Sequence, residues 1–161
     1  MDAPITIRRA LPADAEETAA VLSAAFRSMT FVPKMHTDEE DRGSVRGLIA
    51  DKECWVAERD GAIVGLACFH NGWLEQLYVH PSHHNRGAGS LLLRQVMCEH
   101  PEGFHFWTFQ ANAGARRFYE RHGCVAVEFT DGSANEERTP DVRYEWRPLP
   151  CALDGAARSK A

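Results

Sequence analysis

Apolar residues in the middle of the chain fall in short alternating runs, and on either side of them the spacing lengthens to that of helices. Ile5-Thr6-Ile7-Arg8 reads as a short strand, followed by a turn through Pro12. Asp14 and Glu17 have the separation of a capping box at the start of an alanine-rich helix ending near Phe26. Residues 28–36, SMTFVPKMH, are apolar without a period and contain Pro33, which predicts a loop. Thr37 with Glu40 is a second capping box, opening a helix whose apolar positions are Val45, Leu48 and Ile49.

Strands follow in quick succession. Glu53–Glu58 alternates Cys54 and Val56 against Trp55 and Ala57. Asp60-Gly61 is a hairpin signal into Ile63–Phe69, and Asn71-Gly72 is another into Trp73–Val79. Ser90–His100 predicts a helix closed by Pro101, and Phe104–Phe109 a buried strand. Asn112 as N-cap and Gly123 just past the end bracket a helix over 113–122. Val125–Thr130 and Val142–Arg147 are the last strands, joined by a polar loop over 131–141. The order βααβββαβαββ mixes antiparallel hairpins with a central parallel crossover, which predicts an α/β or α+β class with a mixed sheet. Residues 1–150 read as one domain, and CALDGAARSKA after Pro150 as a disordered tail.

One stretch carries chemistry. Residues 73–93, WLEQLYVHPSHHNRGAGSLLL, read as a strand, a proline-containing loop, a glycine-rich turn and an apolar helix. A helix opened this way leaves its first N–H groups without intrahelical partners at the positive end of its dipole, an anion site. Glycine at 87 and 89 lets a phosphate approach the backbone. A Rossmann fingerprint fails because no third glycine follows in place and position 109 is Phe; the P-loop pattern is absent.

His84-x-x-Gly87-x-Gly89, preceded by Leu77-Tyr78-Val79-His80-Pro81, resembles the acetyl-CoA loop of the GNAT superfamily of N-acyltransferases, with His84 at the position usually filled by Gln or Arg and Asn85 where glycine is common. Asn112-Ala-Gly-Ala-Arg116-Arg117-Phe118-Tyr119, running on to Gly123-Cys124, resembles that family's N-x-x-A-x-x-x-Y-x-x-x-G helix. The resemblance spans roughly residues 5–148. It implies a mostly antiparallel sheet whose fourth and fifth strands are parallel and splayed, flanked by helices, and an N-acetyltransferase using acetyl-CoA. It further implies that residues 84–90 (His84, Asn85, Arg86, Gly87, Ala88, Gly89, Ser90) hold the diphosphate, Arg86 being the expected ion-pair donor. Leu77, Tyr78 and Val79 then border the pantetheine arm, with free backbone groups at 77 and 79, and Asn112 bonds a pantetheine amide besides capping its helix. Arg116 and Arg117 fit either a phosphate contact or a solvated helix face.

For catalysis, Trp73, Glu75 and Leu77 share a strand face by alternation, and a carboxylate flanked by Leu74 and Leu77 reads as partly buried. Glu75 is the candidate general base, acting through a water; a structural Glu paired with a cation is the other reading. Tyr119 matches the family's helix tyrosine, which implies a general acid for the departing thiolate; packing beside Phe118 is the alternative. The segment between the first two helices walls the acceptor site in this family, which places Phe31, Met35 and His36 there, although ordinary packing accounts for them equally. The loop between the last strands also borders that site, so Glu136, Glu137 and Asp141 near Tyr144 would attract a cationic amine; a solvated loop explains them as well.

Composition narrows the field. With 161 residues, 44% hydrophobic and 25% charged, the chain is a globular domain. A net charge of −5 argues against nucleic acid, and no apolar run reaches the ~20 residues of a membrane span. Cysteines 54, 68, 98, 124 and 151 form no C-x-x-C pair, so free thiols in the cytoplasm and no metal are expected. No cysteine sits beside a His/Asp arrangement, which favours direct transfer over a covalent intermediate. The acceptor is a small-molecule or peptide amine, the former slightly favoured, and a homodimer through late strands is compatible with the family. Two rival readings stand: an acyl-CoA-binding sensor without catalysis, from the His84 departure, and a protein-interaction domain, from exposed-looking Trp55, Trp73 and Trp146.

Overall fold

The computed structural model describes residues 3–148; the expected tail and Cys151 lie outside the described residues. Strands β1 (Thr6–Arg9), β2 (Glu53–Arg59), β3 (Ala62–His70) and β4 (Trp73–Val79) pair antiparallel in that order. Both predicted hairpins form. Asp60 and Gly61 have φ of 53° and 76°, and Asn71 and Gly72 have φ of 49° and 84°, the left-handed pairs whose twist matches that of the strands they join.

Strand β5 (Phe104–Phe109) then runs parallel to β4, and β6 (Val125–Phe129) and β7 (Asp141–Trp146) complete a seven-stranded sheet in the order β1-β2-β3-β4-β5-β7-β6. The α/β class with a mixed, mostly antiparallel sheet is as predicted.

Helices cover both faces. On one, α1 (Ala15–Ser28) and α2 (Asp38–Asp51) bury Ala19, Leu22 and Val45 against Cys54, Val56 and Leu66. On the other, α3 (Ala88–Glu99) sets Leu92, Leu93 and Val96 against Ala57, Phe69 and Phe106. Burying each of those leucines is worth roughly 2 kcal/mol by area transfer. The period-2 alternation read in β2 is thus a strand with both faces covered. Helix α4 (Ala113–Arg121) contributes Tyr119 to the second core. Among the described residues no helix is long and apolar enough to cross a membrane.

Local chemistry departs from expectation at the first cap. Thr37 and Glu40 make their capping box, with backbone bonds of 2.9 and 3.1 Å. Asp14 and Glu17 do not, because both carboxylates have tertiary partners. Asp14 takes the Arg8 guanidinium at 2.8 and 3.0 Å and the Leu11 N–H at 2.7 Å, in a short 3-10 turn ahead of α1. Glu17 accepts from the Ile63 N–H at 2.7 Å. Helix α3 also starts earlier than its apolar pattern shows, at Ala88 rather than Ser90.

One buried carboxylate ties α1, α2 and the segment between them. Asp41 accepts from Ser23 Oγ at 2.5 Å and Lys34 Nζ at 2.9 Å. Burial alone pushes its carboxyl upward, but the Ser23 and Lys34 hydrogen bonds outweigh that, so its pKa lies below the ordinary aspartate value. A depressed folded-state pKa stabilises the fold above the unfolded value and loses that contribution as pH falls through the folded one. We expect Asp41→Asn to cost about 1–3 kcal/mol at pH 7. Urea unfolding at a series of pH values should show a shallower acid loss of stability below about pH 4 in the variant than in the parent.

Candidate functional site

Strands β4 and β5 share a single bridged pair, Trp73 with His105, beside a hydrogen bond from the His105 N–H to Gly72 O at 3.0 Å. Beyond it they part. The His80 N–H donates to Val64 O at 2.8 Å, so by ladder alternation Gln76, Tyr78 and His80 aim their backbone groups at β3. Leu77 and Val79 therefore aim theirs at the side where β5 has departed. The Val79 carbonyl is claimed by a new partner, the His84 Nε2–H at 2.9 Å.

The gap opens into a cleft of about 1090 Å³, walled by residues 74–79 of β4, 106–109 of β5, one face of α4 and the turn before α3. At that turn Asn85 (φ 62°) and Gly87 (φ 95°) are both left-handed, and Gly87 caps α3. The first helical bond runs from the Leu91 N–H to Gly87 O at 3.0 Å, so the amides of 88–90 have no intrahelical acceptor. His84, Asn85, Gly87, Ala88, Gly89 and Ser90 all line the cleft. The two glycines serve different ends. Gly87 supplies the left-handed turn, while a Cβ on Gly89 would lie 3.3 Å from the Phe118 ring, so that residue lets α3 and α4 approach.

Arg86 is exposed and outside the cleft wall; its carbonyl accepts from Arg59 Nη2 at 3.3 Å. Arg59, a buried residue at the end of β2, also donates to Ala3 O at 3.1 Å and contacts His83 Nδ1 at 3.4 Å. It fastens the turn from behind, and nothing in its sequence neighbourhood announces that. The cations that do face the cleft are Arg117 and Arg121, one helical turn apart on α4; that spacing was a readable signal. Arg116 points elsewhere: its Nε donates to Tyr144 Oη at 3.1 Å and its guanidinium lies 5.5 Å from the centre of the Phe129 ring. Tyr144 is fully buried and donates to Glu120 Oε2 at 2.6 Å, so it is a core residue and not part of the acceptor wall.

Tyr119 is only 7% exposed and lines the cleft, its ring 4.3 Å from Phe106 and 5.2 Å from Phe118 between centres. Its hydroxyl makes no hydrogen bond to another described residue. Burial first, then the neighbouring Tyr78 phenol, pushes its pKa well up. Tyr78, whose ring lies tilted against Phe26 at 5.3 Å between centres, has its pKa raised by burial and then by the Glu137 charge.

Glu75 differs from its expected setting. The register of β3 and β4 slips between Phe69–Leu74 and Cys68–Gln76, which makes Glu75 a bulged residue. The alternation that would put Trp73, Glu75 and Leu77 on one face is broken there. Glu75 is exposed rather than buried, lines the cleft, and accepts from Lys52 Nζ at 2.9 Å.

At the other end, two connections meet. Asn112 Oδ1 accepts from the Ala115 N–H at 3.1 Å, the expected cap, and its Nδ2 approaches Met29 Sδ at 3.9 Å. Phe31 packs edge-on against Phe109 at 6.1 Å and is not in the cleft wall. His36 Nε2 reaches Glu136 Oε1 at 2.8 Å. Met35 and His36 instead border a smaller neighbouring cavity, which shares Phe26 and Glu137 with the cleft. The 131–140 loop is cross-braced rather than loose: Asn135 Nδ2 donates to Thr139 O at 2.7 Å and Asp141 Oδ2 at 3.0 Å. Thr130 and Asn135 of this region, together with Asp141, line the cleft. The tryptophans expected on the surface have partners: Trp55 lies under Arg9 at 5.3 Å, Trp73 packs on His105 at 5.1 Å and Trp146 on Phe104 at 5.4 Å. Trp107, from the strand expected to be buried, is 43% exposed at the cleft.

Residues 50–124 match the family model described as an acetyltransferase (GNAT) domain. The chain is 25% identical over 132 residues to the uncharacterized N-acetyltransferase YafP of Escherichia coli (strain K12), covering 77% of this chain and 83% of that protein. Among solved structures, a GCN5-related N-acetyltransferase from Rhodopseudomonas palustris superposes with a TM-score of 0.75 at 21% identity, over 92% of this chain and 98% of the other. The yncA protein of Salmonella typhimurium, solved with its cofactor acetyl-CoA, superposes with a TM-score of 0.71 at 19% identity, over 92% and 96%.

Because Arg59 holds the turn through the Arg86 carbonyl and the His83 ring, Arg59→Met should loosen it while leaving residues 84–90 unsubstituted. Amide hydrogen exchange at 84–90 is expected to speed up by about tenfold, while exchange in β2 and β3 stays within about twofold. Equal acceleration across the sheet would mean that Arg59 supports the fold and not the turn.

Proposed function

We propose that this protein transfers an acetyl group from acetyl-CoA to a primary amine by direct attack in a ternary complex. The observation that carries the reading is a cleft running from the free amides of 88–90, past the unpaired backbone of Leu77, to the unpartnered Tyr119 hydroxyl. Those residues fit the donor: N–H groups at a helix start accept a diphosphate, Arg117 and Arg121 add positive charge, and an exposed strand edge suits an extended arm carrying amides. Bound there, acetyl-CoA supplies an activated thioester. Asn112 Nδ2, whose only described partner is the sulfur of Met29, is free to bond that arm.

The remaining steps belong to side chains of this chain. Glu75 accepts the proton that the attacking ammonium must lose, through a water, with Lys52 fixing the carboxylate at the bulge. As the carbon–sulfur bond breaks, Tyr119 donates its proton to the leaving thiolate; its raised pKa keeps that proton in place throughout the neutral range. On the acceptor side Glu137 is the carboxylate to expect against the amine. It lines both cavities, and its side chain makes no hydrogen bond or ion pair with another described residue. The contacts Phe31–Phe109 and His36–Glu136 lie beside that end of the cleft, and a small amine is favoured over a protein surface. The cytoplasm, where acetyl-CoA is made and used, is the expected compartment.

Thiol release measured against a panel of primary amines tests the proposal; tight acetyl-CoA binding with no release from any amine would assign a sensor instead. Tyr119→Phe is expected to lower kcat by about 100-fold while the Kd for CoA stays within about twofold. Because the phenol pKa is raised, the parent's kcat should show no fall from loss of this acid until pH passes about 10. Glu75→Gln is expected to lower kcat/KM by about 100-fold at neutral pH, with the loss shrinking as the amine deprotonates at high pH. Full turnover by that variant across the pH range would remove Glu75 from the mechanism.

A further inference from the structure

Two cysteines far apart in the chain face each other inside the sheet. Cys54 on β2 is paired in register with Cys68 on β3, and their Sγ atoms lie 2.7 Å apart. Both belong to the core beneath α1 and α2, at 3% and 1% exposure. Directly opposed residues of an antiparallel pair have Cα atoms about 4.5 or 5.5 Å apart, and both values fall within the roughly 4.4–6.8 Å that a disulfide spans. The backbone is therefore already where a bond needs it. No other described thiol competes: Cys98 is exposed on α3, and Cys124 is buried on the opposite face of the sheet.

We propose that Cys54 and Cys68 are an oxidative modification site, a dithiol that closes to a cross-strand disulfide when a peroxide small enough to enter the core reaches it. The two sulfurs are not equivalent. The close contact between the two sulfurs outweighs burial and, helped by the nearby Arg9 and Lys52 charges, lowers the pKa of Cys54, whereas the same contact and then burial raise that of Cys68. Cys54 is the nucleophile and Cys68 the resolving partner. The Cys54 thiolate attacks one peroxide oxygen and the O–O bond breaks. Hydroxide leaves, takes up the proton Cys54 gave away, and becomes water, with Cys54 left as the sulfenic acid. The Cys68 sulfur then attacks the Cys54 sulfur, the S–O bond breaks, and the departing hydroxide carries off the Cys68 proton as a second water. Two thiols lose two electrons and one peroxide gains them.

The site lies one strand from the cleft. Cys68 is opposite Gln76, next to the Glu75 bulge, and Lys52, which holds Glu75, sits just before Cys54 on the chain. A covalent tie there fixes the start of β2 against β3 under the Lys52–Glu75 pair, and it does so whatever reaction the cleft performs.

The test uses the full chain, fully reduced and then exposed to a small excess of hydrogen peroxide. Remaining thiols are alkylated after unfolding, and the protein is digested without reductant. The expected result is a peptide pair joined through Cys54 and Cys68, lighter by two hydrogen atoms than its reduced parts and released by dithiothreitol. Cys98→Ser should leave it in place, and Cys54→Ser and Cys68→Ser should each abolish it. The proposal is overturned if both cysteines of the peroxide-treated wild type are recovered alkylated, if Cys54 proceeds to sulfinic acid with Cys68 still free, or if the links found join other cysteines.

Discussion

The parting of β4 from β5 is the constraint on which the rest of the molecule depends. A parallel pair held at one position cannot keep its later residues in register, and the bulge at Glu75 turns β4 further as it leaves. Backbone groups at Leu77 are then left without a strand partner. Buried and dry they would cost free energy comparable to a lost hydrogen bond, so the gap must hold water or an extended ligand that offers donors and acceptors of its own. Antiparallel hairpins before the gap and the β5–β7–β6 ladder after it fix both walls, and the two helical layers prevent the sheet from closing.

At the mouth of that gap, an anion held as proposed would meet main chain rather than a charged side chain of the turn. Left-handed Asn85 and Gly87 reverse the chain so that the amides of 88–90 open toward the cleft. His84 spends its ring on the Val79 carbonyl, which fixes the turn to the strand end. Arg59 fixes it again from behind through the carbonyl of Arg86. The residue expected to be the turn's cation thus contributes backbone, and a distant arginine supplies the brace. The positive charge on the cleft wall comes from Arg117 and Arg121 on a different helix.

Electrostatics divide the other end in the same manner. Glu75 has Lys52, Asp41 has Ser23 and Lys34, and Asp141 has Asn135 and Thr130, so each of these carboxylates is matched within the chain. Glu137 has no such partner among the described residues, and partly buried charge without a partner is costly unless something from outside completes it. The aromatic neighbours Phe26 and Tyr78 lower the local polarity around it.

Sequence alone determined what depends on near neighbours. The hairpins at Asp60-Gly61 and Asn71-Gly72 and the caps at Thr37 and Asn112 are local, because a left-handed φ or a side chain reaching its own helix needs no information from elsewhere. The glycine turn before α3 and the Tyr119 helix were legible for the same reason, as each is a continuous run. Tertiary structure decided everything in which one side chain chooses among distant partners. Asp14 and Glu17 left their helix for Arg8 and Ile63; Tyr144 and Arg116 satisfied each other in the core; Cys54 met Cys68 across a strand pair. The bulge that exposes Glu75 is of this kind too, since register is a property of two strands and period-2 alternation in one of them cannot report a slip against the other.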